Sequence, residues 1–173
     1  MKKVVWFIGI VAFFMNMAAF AANDVKIGFV DVQKVLTSSQ AGQKTKKEIE
    51  SLVSKKKEGL QKQEKTLQDM QAQFEKEQLT LSKSQKEQKQ KDFQEKVREY
   101  QKAGSDLQKE VQKIEAEFTK KSLKVITEIV KDISDKDKYT AVFETAQSGM
   151  IYADDSIDLT ERVLKQFNIR FGS

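Results

Sequence analysis

The side chains that usually carry enzyme chemistry are missing from this sequence. Its 173 residues include no Cys and no His, which removes the usual zinc ligands, the cysteine nucleophile and the histidine general base. The sequence has no phosphate-binding loop of the form G-x-x-x-x-G-K-[ST], and no pair of catalytic groups converges in it. We therefore predict that the protein is not an enzyme and uses no cofactor or metal ion.

The chemistry that remains is charge, mainly from lysine. Lysines cluster in runs such as Lys44 to Lys47 and Lys55 to Lys57. Such runs are most often solvated helix faces balanced by Glu on neighbouring turns. As an aggregate field they could instead attract acidic loops of a protein partner, an anionic membrane or lipopolysaccharide.

The N-terminus has the pattern of a secretory signal peptide. Lys2 and Lys3 precede an apolar stretch too short to span a bilayer, and the small residues that follow include the A-x-A triplet ending at Ala21. We predict a signal peptide over residues 1–21, with an uncleaved anchor as the alternative. Losing Lys2 and Lys3 from 31 basic residues leaves 29 against 26 acidic ones. That net charge of +3 is too small to predict a nucleic-acid partner.

A long helical hairpin is predicted over residues 43–121. In the first helix, from about Gln43, apolar residues recur every seven positions, which is typical of a coiled-coil seam: Val53, Leu60, Leu67, Phe74 and Leu81. The pattern then breaks, and Ser84 with Glu87 fits a capping box that opens a second helix, so the hairpin tip is expected near Ser82. The second seam alternates steps of four and three: Phe93, Val97, Tyr100, Gly104, Leu107, Val111, Ile114 and Phe118.

Two features of this predicted arm bear on function. Met70, Leu79 and Leu81 have few apolar partners in register, so we take them as candidates for contact with a bound protein, although any single one could be coiled-coil core. Gly59 and Gly104 are the glycines inside the two helices, and their numbers add to 163, which places them at one level of a hairpin centred between residues 81 and 82. They predict either a hinge or a close approach of the helices.

The chain ends are predicted to form a small body, from residues 22–42 and 122–173. Val25 to Val32 reads as a strand, Tyr139 to Phe143 as a second, and Met150 to Ala153 as a third that forms a β-hairpin with the second. Asp158 is expected to cap a terminal helix, with Glu161 returning the bond. So few short strands need further pairing, and the candidates for an interface between chains are Ile27, Phe29, Val30, Val142 and Ile151.

Both ends of the sequence resemble the Skp/OmpH family. The N-terminal part of the resemblance is the segment from Val25 to Leu36 followed by Ser39 and Gly42. The C-terminal part comprises 139–143, 149–153 and 158–164. The resemblance implies a homotrimer whose strands form a barrel-like body in the periplasm of a Gram-negative bacterium, with three arms around a cavity for unfolded outer membrane proteins. The fold class is then α+β and predominantly α, with a coiled-coil arm protruding from a β body that trimerises.

The predicted function is that of an ATP-independent holdase chaperone. The alternative from another class is a structural coiled-coil spacer or adaptor of the cell envelope. In a spacer, the apolar seams would be fully packed and each end of the molecule would bind its own envelope component. This chain instead turns back on itself and brings both of its ends to one body. That arrangement favours an arm that holds a bound protein over a rod-shaped spacer.

Overall fold

The two strands of the protein come from opposite ends of the chain. The computed structural model describes residues 25–171, so the predicted signal peptide and its cleavage site near Ala21 lie outside the described residues. Strand β1 (Ile27–Val30) pairs in parallel with β2 (Ala141–Glu144), and Phe29 is opposite Phe143 in the register. Both strands were predicted: the first was drawn too long at both ends, and the second began two residues too early and ended one residue too early.

The predicted β-hairpin is wrong. The described sheet has two strands, and residues 150–153 are irregular. After β2 the chain makes local turns, in which the Glu144 carboxylate accepts from the Gln147 N–H at 2.7 Å and Gly149 takes a left-handed conformation at φ 67°. These contacts direct the chain away from an antiparallel return along β2.

A short helix, α1 (Val32–Ser38), follows β1 directly and was not predicted. Asp31 caps its start by accepting from the Lys34 N–H at 2.8 Å. Ser39 then ends α1 and begins α2 (Gln40–Glu77). Its hydroxyl accepts from the Gly42 N–H at 3.0 Å and donates to the Leu36 carbonyl at 3.1 Å, so one buried side chain fixes the corner between two helices.

The arm consists of α2 and α3 (Lys83–Asp137), joined by a short turn. The predicted tip at Ser82 is confirmed, but the predicted capping box is displaced by two residues. Ser82 caps α3 and Gln85 returns the bond to the Ser82 N–H, because Ser82 has an extended backbone whereas Ser84 is already helical. Helices of 38 and 55 residues extend about 57 and 82 Å at about 1.5 Å per residue.

Two ion pairs between the helices show the register of the arm. Lys56 contacts Glu110 at 3.8 Å, and Lys89 contacts Glu77 at 2.9 Å. The residue numbers of each pair add to 166, and each helix advances 21 residues between the pairs, which is three heptads. The helices are therefore antiparallel and keep coiled-coil spacing between these levels.

The C-terminal third of α3 enters the body, as its apolar density predicts. Ile126, Ile129 and Ile133 are buried there. They pack with α1 and with the terminal helix α4 (Thr160–Arg170) in one core, whose other buried members are Val30, Val35, Leu36, Leu159, Val163 and Phe167.

The predicted cap of α4 needs correction. Leu159 is the N-cap residue and has no side-chain cap bond. Asp158 accepts from the Thr160 N–H at 2.7 Å within a tight turn, while Glu161 pairs with Lys34 of α1 at 2.8 Å. The Leu159 N–H donates to the Phe29 carbonyl at 2.8 Å. This bond to the free edge of β1 determines where α4 begins.

Candidate functional site

The three residues predicted to contact a bound protein lie near the arm tip, at different depths. Leu79 is 92% exposed, because it lies in the turn after α2, where no helix covers it. Met70 and Leu81 are half-buried. The structure thus leaves one fully accessible apolar side chain at the tip and two partly accessible ones beside it.

Met70 lies in a cleft between the two helices of the arm. The cleft has a volume of about 470 Å³, and its apolar wall is formed by Met70, Phe74 and Phe93. Phe74 and Phe93 were predicted as seam residues, and both are half-buried. Sequence reasoning missed the cleft itself, because heptad spacing places seam residues without showing whether their partners fill the space between the helices.

The charged side chains beside the cleft bond to partners within the arm. Gln73 donates to Glu77 at 2.8 Å, and Lys89 from the opposite helix reaches the same carboxylate. The Gln73 hydrogen bond and then Lys89 hold the pKa of Glu77 below its usual range, because both favour the charged form. Glu77 therefore stays ionised and holds Lys89 across the arm.

Gly59 and Gly104 have open space around them. A Cβ atom built on either residue would meet no atom within 4 Å. The helices therefore do not approach closely at these positions, and the close-approach interpretation is wrong. The hinge interpretation stays a prediction.

The predicted interface residues fall into three groups. Ile151 is 102% exposed and Ile27 is 40% exposed, so both side chains are accessible to another chain. Phe29 and Val142 are half-buried. Val30 is 4% exposed and belongs to the chain's own core, so we remove it from the predicted interface.

Two further apolar side chains extend this surface, and sequence reasoning did not include them. Phe143 is 46% exposed in β2, and Tyr152 is 83% exposed beside Ile151. The predicted strands 139–143 and 150–153 contained both residues, so the signal was present. The prediction took Val142 and Ile151 from these two segments and left out their neighbours Phe143 and Tyr152.

The lysine runs stay dispersed over the helix surfaces. Lys55 and Lys57 are exposed, Lys56 pairs across the arm, and Lys46 lies 4.0 Å from Glu50 on its own helix. Within residues 25–171, no cluster of acidic, His or Cys side chains could hold a metal ion. No helix in that part of the chain has the length and apolarity required to cross a bilayer.

Comparison with known proteins agrees with this architecture. The profile of the family described as outer membrane protein (OmpH-like) matches residues 26–167, which include the body strands, the whole arm and most of α4. The chain belongs to the OmpH-like family. No curated protein sequence matches this OmpH-like chain.

A solved structure similar to this OmpH-like protein comes from Caulobacter crescentus and is described as an outer membrane chaperone (OmpH-like). The two share 16% sequence identity, with a TM-score of 0.69 over 83% of this chain and 84% of the other. At that identity the likeness concerns the fold. The α+β, predominantly helical fold class with a long hairpin is confirmed.

Proposed function

We propose that this OmpH-like protein is an ATP-independent holdase chaperone of the periplasm, which binds unfolded outer membrane proteins between helical arms and keeps them from aggregating. The observation that carries the proposal is the arm itself. It projects far beyond the body and exposes Leu79 fully and Met70 and Leu81 partly. Apolar surface distributed along a solvated arm suits many weak, adaptable contacts with unfolded chains.

The proposal includes a homotrimer formed by the body. A two-stranded sheet is marginal by itself, and around it this chain exposes Ile27, Phe143, Ile151 and Tyr152. Burying these side chains between copies would stabilise the body and place several arms around a shared space. The arms would then act together on one bound protein, so that weak contacts add.

The dispersed lysines are proposed to make a smaller, electrostatic contribution to binding. Single exposed charges contribute little, but their sum over the arm could attract acidic loops of an unfolded protein or an anionic membrane or lipopolysaccharide surface. Raising the salt concentration should then slow capture without abolishing it, because the apolar contacts are not screened.

Light scattering tests the proposal. An outer membrane β-barrel protein denatured in urea is diluted into buffer without nucleotide, with and without this protein. We expect scattering to be suppressed near one trimer per barrel protein. The matched control joins residues before Gly42 to residues after Phe118 by a short loop, which removes the arm. Unchanged aggregation over a wide concentration range of the full chain would exclude the chaperone function and favour the envelope spacer.

A further inference from the structure

The apolar faces of the two arm helices end at about the same level, before the tip is reached. In α3 the inward-facing residues are mainly apolar from Phe118 to Phe93, but the next two half-buried positions toward the tip are Lys89 and Lys86. In α2 the last half-buried apolar residues before the tip are Met70 and Phe74, and the next half-buried position is Glu77. The register of the ion pairs places Phe74 within one residue of the level of Phe93, and toward the tip the seam continues with the Glu77–Lys89 pair.

The cleft of about 470 Å³ between the helices lies at this level. Within residues 25–171 the aromatic ring pairs are Phe118 with Phe171 and Phe167 with Phe171, so the rings of Phe74 and Phe93 do not form a stacked or edge-on pair. Together with the flexible Met70 thioether, they form walls that can adapt to an inserted side chain.

The charged groups around the cleft are already engaged. Lys89 contacts Glu77 at 2.9 Å, and Asp92 accepts from Gln88 at 2.7 Å. The rest of the rim consists of Gln71, Gln73 and Gln90, whose amides can both donate and accept hydrogen bonds. An apolar interior with a paired lysine, a hydrogen-bonded aspartate and a neutral amide rim complements an uncharged side chain and the peptide groups flanking it.

We propose that this cleft is a binding subsite for one uncharged aromatic side chain of an unfolded polypeptide. The ring inserts between Phe74 and Phe93 against Met70, and the glutamines meet the backbone on either side. The inference deepens the proposed function, on which it rests, by assigning capture to a defined site near each arm tip. Such a site recognises a side-chain class without requiring a sequence.

Methionine labelling provides a direct probe, because the chain has five Met residues and two of them, Met70 and Met150, lie in the described part. The full chain is labelled with ¹³C at the methionine methyl groups, and the Met70 signal is assigned with Met70→Leu. An unstructured Gly/Ser peptide containing one Phe is titrated against the same peptide with Ser in that place. We expect the Phe peptide to shift the Met70 signal and leave Met150 unchanged.

A cleft-filling variant completes the test. Gln90 is exposed and lies on the rim, so Gln90→Trp should lay an indole over the opening without disturbing the fold. We expect it to weaken Phe-peptide binding about tenfold, the loss expected when an aromatic side chain loses its pocket. Gln94→Trp, at an exposed position one turn away outside the cleft, should bind within about twofold of wild type.

The outcomes separate this inference from the proposed function. An unchanged Met70 signal, equal shifts with both peptides, or full binding by Gln90→Trp would overturn the subsite even if scattering is suppressed. A Phe-specific shift without suppression of aggregation would support the subsite and overturn the holdase proposal. Equal weakening by Gln90→Trp and Gln94→Trp would overturn the assignment to this cleft.

Discussion

Gly42 lies directly against the backbone of Leu36, so that a Cβ atom on Gly42 would be 1.8 Å from the Leu36 carbonyl oxygen. The contact arises at the corner between α1 and α2, where Ser39 bonds to both residues. No rotamer change can relieve it, because the obstructing atom belongs to the main chain. Glycine is therefore required at this corner.

Gly42→Ala should be strongly destabilising, by about 3 kcal/mol or more, since the body must shift to admit one methyl group. Urea unfolding followed by circular dichroism measures the loss. Gly59→Ala is the matched control, because its Cβ would meet nothing within 4 Å. A variant at Gly42 with wild-type stability would mean that the corner adjusts freely.

Replacing Gly59 and Gly104 together by Ala tests the predicted hinge. Each substitution should stabilise the arm by about 1 kcal/mol, since both positions are helical and open. The register places the two glycines about one helical turn apart along the arm rather than at one level. If these two weakly helical positions let the arm bend, the stiffened variant should also hold a narrower size range of unfolded proteins, as measured by aggregation suppression with barrels of different strand number. Stabilisation with an unchanged range would eliminate the hinge.

Ile151→Asp tests the association surface. The side chain is fully exposed in the single chain, so the substitution should leave each subunit folded but weaken its assembly, because a charge would be buried between copies. Sedimentation over a concentration series measures the change. Leu79→Asp serves as the control, since Leu79 is equally exposed but lies at the arm tip. Equal sedimentation of Ile151→Asp and wild type would remove residue 151 from the interface.

Asp137 and Arg162 should make stability depend on acid pH. Their ion pair joins the end of α3 to α4, and the hydrogen bond from Arg162 holds the pKa of Asp137 below its usual range. A lowered folded-state pKa stabilises the protein above about pH 4, the ordinary value for Asp, and the contribution disappears as pH falls through the folded-state pKa.

Thermal melts of Asp137→Asn should therefore lie below those of wild type near pH 7 and converge with them in strong acid. Asp135→Asn is the control, because it removes the same charge at an exposed position two residues away. A constant difference across the pH range would show that Asp137 acts by packing. A pH dependence shared by both variants would point to net charge.

The sequence predicts the arm better than the body for a physical reason. Heptad spacing is a local signal, and Phe74, Leu81 and Phe93 are half-buried along the arm as that spacing requires. The body depends on contacts between distant segments, which periodicity does not encode. The expected cap is wrong because the Leu159 N–H bonds to the Phe29 carbonyl and Glu161 pairs with Lys34, both from the other end of the chain.

The difference between local patterns and contacts made in three dimensions also explains which features of the candidate sites the sequence predicts. Ile151 and Leu79 are exposed because no other element in the described part of the chain covers them. The sequence indicates this exposure, since both are apolar residues that lie outside a regular hydrophobic pattern. Lys89 lines the cleft beside Met70 and points to Glu77 across the arm. A pattern of residue types cannot give that side-chain direction, so the cleft emerges only in three dimensions.

The parallel pairing of β1 with β2 also constrains the order of folding. Lys26 and Thr140, which hydrogen-bond beside the sheet, are 114 residues apart, and joining such distant segments in an open chain requires a large loss of conformational entropy. The hairpin has local contacts near its turn, so its two helices can pair progressively from Ser82 toward the body. As it does so, it brings the chain ends together, so the arm would act as an internal folding template for its own body.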